Sequence, residues 1–261
     1  MQGGFSILLK EYTGMNTDFI TPLGNNILCA LFTVIYTRCM MDIASRVIMH
    51  RLGFHADVSR KFIHVFAGCW ILFWPLFDVT HWSWRLNVLV PAVISVKLFY
   101  KGAIIADPND IDVQTMSRSS SPSELLFGPL QFSLFMMYCG TTKFMTIEGA
   151  ILMGALGIGD GIAPIIGKYY GHIPYRFPLS TEKSVEGSFF GVFLGTIGGS
   201  YFFIHMLGLP MISYESLIKV GIITTIAEAT APGNLDNIFV PVVLHLSISK
   251  YLPSILGDLS T

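Results

Sequence analysis

The chain has 261 residues, of which 52% are hydrophobic and 13% charged, about half the charge usual in a soluble domain. A water-surrounded domain of this size has too much surface to hide that much apolar side chain, which excludes an ordinary soluble fold. The formal net charge of −1 likewise excludes the basic surplus of a nucleic-acid binder.

Residues 1–24 are mixed and polar, with Lys10, Glu11 and Asp18. They carry neither the basic start and apolar core of a secretory signal nor the Arg- and Ser-rich character of a transit peptide. Apolar stretches then recur at lengths suited to a bilayer, which takes about 20 residues to cross. They fall at 26–43, 62–80, 84–100, 125–142, 147–170, 188–209 and 217–252. The last exceeds one helix and is interrupted at Pro232-Gly233. The expectation is an all-α, polytopic integral membrane protein of about seven transmembrane helices, with interrupted helices near its site and one membrane-embedded domain over 1–261. Cys29, Cys39, Cys69 and Cys139 stand singly in apolar runs without a C-x-x-C pair and read as small buried hydrophobes.

Lysine and arginine in the connecting loops set the orientation. Arg46, Arg51, Arg60, Lys61, Lys97, Lys101, Arg118, Lys168, Arg176 and Lys183 fall on one side, against Lys10, Arg85, Lys143 and Lys219 on the other. The basic side is expected to face the cytosol or stroma, and every candidate motif lies on or near it. Gly187, Gly191, Gly195 and Gly199 recur every fourth residue, as do Ala163, Gly167 and Gly171 beyond Asp160. Both stripes predict close helix packing.

Five segments combine residues that could do chemistry. Asp160 lies deep in an apolar run, in Gly157-Ile158-Gly159-Asp160-Gly161. A carboxylate there needs a polar cavity or a partner, and Gly159 and Gly161 let backbone or ligand approach. It is a catalytic or metal-binding candidate, with a structural ion pair as the plain alternative. In Ser59-Arg60-Lys61-Phe62-Ile63-His64, Arg60 and His64 share a helix face; two cations beside an imidazole suit phosphate, or simple anchoring at the membrane surface. Glu182-Lys183-Ser184-Val185-Glu186-Gly187 opens the glycine-striped helix. With Glu182 and Glu186 on one face it could hold a metal–triphosphate, or form a solvated first turn. Glu228, Asp236 and Asn237 flank the Pro232-Gly233 break, as in discontinuous helices that line membrane binding sites, or in a surface loop. Asp107, Asp110 and Asp112 read as solvated loop, and Glu124 sits at a membrane boundary ahead of Gly128-Pro129. No Walker loop, kinase glycine loop, nucleophile elbow or zinc motif occurs.

Taken in order, these segments resemble the polyprenol kinase family, which includes the dolichol, phytol and farnesol kinases and the CTP-dependent diacylglycerol kinases. The resemblance spans residues 59–241 and rests on Ser59-Arg60-Lys61-x-x-His64, Glu124-Leu125-Leu126-x-Gly128-Pro129, Gly159-Asp160-Gly161-x-Ala163, Lys183-Ser184-x-Glu186-Gly187 and Asp236-Asn237. Trp74-Pro75-Leu76-Phe77 and Met116-Ser117-Arg118-Ser119 look most like the phytol/farnesol branch, although Ser123 stands where that branch tends to carry arginine. Glu228 with Asp236-Asn237 looks equally like the dolichol kinases.

The resemblance implies transfer of the γ-phosphate of a nucleoside triphosphate, typically CTP, to an isoprenoid alcohol held in the bilayer. Arg60, Lys61 and Lys183 would take the triphosphate, helped by Gly159, Gly161, Ser184, Glu124 and Asn237. Asp160 with Glu186 or Asp236 would hold Mg²⁺, and His64 or Glu228 would accept the hydroxyl proton. Endoplasmic reticulum and plastid membranes both stay open, as does the oligomeric state. A CTP-dependent lipid nucleotidyltransferase, a diacylglycerol kinase and a membrane transporter are the rival readings.

Overall fold

The computed structural model describes residues 4–14, 20–54, 56–233 and 235–256; Asp18 and other parts of the polar N-terminal stretch lie outside them. Among the described residues the regular structure is helical apart from one pair of two-residue strands. A short helix α1 (Gly4–Thr13) precedes α2 (Pro22–Arg51). Thr21 caps α2, its hydroxyl accepting the Gly24 N–H at 3.1 Å, with proline in the first turn. Then come α3 (Ala56–Gly68), which tightens into a 3₁₀ segment at Cys69–Leu76, and α4 (Trp82–Ile105). Short helices α5 (Ile111–Met116) and α6 (Glu124–Phe127) lead into α7 (Pro129–Thr142). After α8 (Ile147–Tyr170), strands β1 (Pro174–Tyr175) and β2 (Lys183–Ser184) pair antiparallel, with Pro174 opposite Ser184. The chain ends in α9 (Gly187–Met206), α10 (Tyr214–Thr230) and α11 (Asp236–Leu256).

Among the described residues four helices are long and apolar enough to cross a membrane, namely α2, α4, α8 and α9, where about seven were expected. The other expected spans are helical but differently built. Residues 62–80 change from α to 3₁₀ winding at Cys69, α7 has 14 residues, and the 217–252 stretch resolves into α10 and α11. That break falls at Pro232-Gly233: proline has no N–H to continue the helix, and Gly233 takes φ +50°, a conformation that favours glycine. Of the four cysteines, Cys29 and Cys139 are buried as expected, whereas Cys39 is exposed.

The glycine stripe explains the centre of the molecule. A Cβ at Gly191 would lie 2.3 Å from the Ala163 Cα, one at Gly195 3.1 Å from the Gly159 Cα, and one at Gly199 2.8 Å from the Ile158 Cβ. Along this seam α9 presses backbone to backbone on α8, which only small residues permit. Both helices widen to π winding there, over Gly154–Gly159 and Gly187–Phe193, a distortion common beside functional sites. Trp70, Trp74, Ile151, Leu152, Met153, Phe203 and Ile204 pack the buried core behind the seam.

Candidate active site

A second close approach brings α3 onto α8. A Cβ at Gly68 would sit 2.8 Å from the Gly157 Cα. One and two turns earlier on α3, His64 and Lys61 therefore reach Asp160. The Lys61 ammonium donates to the Asp160 backbone oxygen at 2.9 Å and to its Oδ2 at 3.0 Å; both residues are 5% exposed. His64 Nε2 lies 2.8 Å from the Leu156 carbonyl and 3.2 Å from Asp160 Oδ2. A carbonyl only accepts, so Nε2 carries a hydrogen, and in the neutral ring the lone pair is then on Nδ1. Gly161 makes room for this arrangement, since a Cβ there would meet Val65 at 2.5 Å. Gly159 is pressed on Thr196 of α9, so both glycines serve helix packing and neither lines the cavity described below.

The 174–184 hairpin supplies the next cation. The Leu179 carbonyl at its tip accepts the Gly233 N–H at 3.0 Å, fastening the hairpin to the α10–α11 break. Lys183 is thereby carried to the end of α10, where its ammonium pairs with the Glu228 carboxylate and donates to the Glu228 backbone oxygen at 2.6 Å. Ser184 accepts the Gly187 N–H at 3.1 Å and so caps α9. Glu182 and Glu186 do not share a helix face, because the strand pairing of Lys183 and Ser184 separates them. Glu186 turns away, accepting the Ile173 N–H at 3.3 Å beside His172, whereas Glu182 lines the cavity.

Asp236 and Asn237 begin α11. Asp236 is within electrostatic reach of Asp160, Lys61 and Lys183, and Glu228 of both Asp160 and Asp236. Asn237 donates to the Gly128 carbonyl at 3.4 Å. Its Oδ1, like Glu228 Oε2 and Arg60 Nε, is buried without a hydrogen-bond partner.

The segment between α4 and α7 departs from the expected reading. Glu124 accepts the N–H groups of Arg118 and Ser119 and the Ser119 hydroxyl at 2.7 Å, closing the loop on itself. Burial works to raise its carboxyl, but those donors and the Arg118 charge hold it below the ordinary carboxylate range. Arg118, so placed, lies within electrostatic reach of Arg60. Of the acidic cluster only Asp107 is the exposed loop residue expected: Asp112 is 4% exposed and binds Lys97 at 2.7 Å and Lys101. Asp110 joins Lys101 at 2.7 Å. Burial pushes the Asp110 carboxyl up, and the Lys101 and Asp112 N–H hydrogen bonds more than offset it, holding it low. Lys97 and Lys101, one turn apart at the end of α4, were the available signal for this pairing.

All these elements face one cavity of about 1240 Å³. Asp160, Lys61, His64, Arg60, Lys183, Ser184, Glu228, Asp236, Asn237 and Glu124 line it, joined by Arg118, Lys97 and Asp112. Cations from α3, from the segment between α4 and α7, and from β2 thus meet at one place. From there the cavity continues between apolar side chains of α2, α3, α4 and α7.

No family model matches the chain. Curated relatives do. Phytol kinase 1, chloroplastic, of Arabidopsis thaliana is 30% identical over 203 residues, covering 73% of this chain and 65% of that protein. Probable phytol kinase 1, chloroplastic, of Glycine max is 29% identical over 196 residues, 70% and 63% of the two chains. Probable phytol kinase 2, chloroplastic, of Oryza sativa subsp. japonica is 32% identical over 155 residues, 58% and 50%. The chain therefore spans just under two thirds of the length of the first two. The resemblance read from the motifs is borne out: this chain is similar over most of its length to proteins named phytol kinase, which supports a phytol/polyprenol kinase-like family.

Proposed function

We propose that the protein is a membrane-embedded, CTP-dependent kinase that moves the γ-phosphate of the nucleotide to the hydroxyl of an isoprenoid alcohol of the phytol or farnesol type. The observation that carries this reading is the meeting of Lys61, Arg60, Arg118 and Lys183 with Asp160, Glu228 and Asp236 in one cavity that continues into an apolar branch. A triphosphate needs the first part and a lipid alcohol the second. Phosphoryl transfer asks the protein mainly for positioning and charge neutralisation.

In this scheme Lys183, Arg60, Lys61 and Arg118 bind the phosphates. The alcohol oxygen attacks the γ-phosphorus as the bond to the β,γ-bridging oxygen breaks, and the hydroxyl proton passes to a base. His64 Nδ1 and the unpaired Glu228 Oε2 are the two acceptors at hand. Among the described residues no three His, Cys, Asp or Glu side chains cluster tightly enough to hold a metal unaided. Mg²⁺ arriving with a triphosphate needs only one or two carboxylates. Asp160 and Asp236, with the orphaned Oδ1 of Asn237, would form an all-oxygen donor set that suits it. When bound, it neutralises charge on the phosphate oxygens. Glu186, paired toward His172 and Ile173, leaves that role to Asp236.

A single domain of about seven spans, basic side toward the cytosol or stroma, places the nucleotide in water and the alcohol in lipid. The chloroplastic names of the relatives favour a plastid membrane. The test is to incubate purified protein in lipid with phytol, farnesol, dolichol or diacylglycerol and CTP labelled at the γ or α phosphate. Label should enter phytol or farnesol from the γ position. Transfer of α label would make it a nucleotidyltransferase, and no transfer with solute uptake into sealed vesicles would make it a transporter.

A further inference from the structure

The cavity opens in two directions of opposite character. At the charged end its lining includes the exposed Tyr169, His172 and Glu182. On the flank it is lined by Val34 of α2 and by Leu89 and Val93 of α4, which are 44%, 42% and 58% exposed. Val34 and Val93 each stand near the middle of their apolar stretches, 26–43 and 84–100, which puts both near mid-depth of a bilayer core roughly 30 Å thick. An opening between two apolar helices at that depth faces hydrocarbon.

The branch behind this opening ends on Trp70, Phe132 and Met136, all 5% exposed or less. Phe132 stacks on the His64 imidazole with centroids 4.1 Å apart, and His64 touches Asp160. The apolar branch therefore runs from the lipid-facing flank to the charged end. One turn toward the basic side from Val34 and Val93 stand Arg38 and Lys97, which also line the cavity. They are held by Asp42 at 3.3 Å and Asp112 at 2.7 Å.

We propose that this branch seats the hydrocarbon chain of the lipid alcohol, which enters sideways from the bilayer between α2 and α4 beneath the Arg38–Lys97 rim. The inference rests on the lipid-kinase reading and adds to it where the chain lies and how it arrives. A tail that slides in at this depth never leaves an apolar medium, so the cost of exposing each methylene to water does not arise. The hydroxyl is delivered at the His64–Phe132 junction, where the charged residues begin.

Tryptophan at Val93 narrows the opening from a position that is already exposed, so folding is spared. Val93→Trp should raise KM for phytol about tenfold relative to KM for the short alcohol dimethylallyl alcohol, with kcat little changed, the pattern of lost uniform binding. Val96→Trp, on the same helix, 71% exposed and outside the cavity lining, should keep wild-type constants for both alcohols. An unchanged KM ratio in Val93→Trp overturns the proposal. A phytol analogue with a photoreactive group in mid-chain should label α2 and α4 near Val34, Leu89 and Val93; label scattered over the lipid-facing surface and absent there also overturns it. Flank labelling in a protein that phosphorylates no alcohol would defeat the kinase reading and leave the tail site standing. An active kinase without flank labelling would do the reverse.

Discussion

Helix α8 and the pair α2 and α4 are all apolar enough to cross a membrane, yet the protein uses them in opposite ways. In α8, 72% of the most apolar stretch is buried by protein, against 28% in α2 and in α4. The difference lies in side-chain size. Gly154, Gly157, Gly159 and Ala163 let α3 and α9 approach α8 to backbone contact, while Leu31, Val34, Ile35, Leu89, Val93 and Val96 present bulk outward. Small residues do more than tighten packing. By drawing α3 close they bring a lysine and a histidine to a carboxylate that would otherwise stand unpaired among apolar helices.

The sharpest test of the inner helix removes one partner of its buried ion pair. Lys61→Met leaves Asp160 without its main counter-charge and should cost about 3–5 kcal/mol of stability, read by thermal unfolding in detergent. Adding Asp160→Asn to Lys61→Met should restore much of that stability and none of the turnover. If the double variant is no more stable than Lys61→Met alone, the pair is not coupled. Next in size, Asp160→Asn and Lys183→Ala should each lower turnover by about 10²–10³ while the protein stays folded in the membrane. Near-normal activity in either would remove that residue from the mechanism.

A smaller loss is expected from over-packing the seam. Gly191→Leu starts a side chain 2.3 Å from the Ala163 Cα and should cost at least ~1–3 kcal/mol, seen as a lower Tm. The same bulk added at Val96 of α4 should leave Tm unchanged. Equal effects at the two sites would break the contrast between inner and outer helices. The smallest effect concerns Glu124. Its folded-state pKa lies below the ordinary 4.5, so its contribution to loop order is complete above that value and is lost as pH falls through the lower, folded-state one. Amide exchange at Arg118 and Ser119 should quicken on acidification, and Glu124→Gln should show faster exchange already at neutral pH.

Much of the scaffold was legible because its signals are local. The 147–170 span coincides with α8, the four-residue glycine repeat is the α8–α9 seam, and Pro232-Gly233 is where α10 gives way to α11. Convergence of Asp160, Lys183 and Asp236 was foreshadowed by their common membrane side. Contacts made across long sequence separations were not. Asp112 looked like solvated loop because Lys97 and Lys101, its partners, read only as basic-side charges at the end of a span and not as a pair one turn apart that could hold a carboxylate. Glu186 looked like a neighbour of Glu182 because helical spacing was assumed where a strand pair intervenes. The pairing of Lys168 with Asp57 at 2.9 Å, which ties the end of α8 to the start of α3, depends on tertiary geometry that no periodicity encodes.

Lys61 and Lys183 each hold a protein carboxylate as well as a backbone oxygen. Any incoming phosphate must therefore displace, or share, an anion already in place, so the binding energy it gains is a difference and not the full attraction of a bare cation. A site built in this way selects for a ligand that offers each lysine more than the carboxylate and backbone oxygen it already holds.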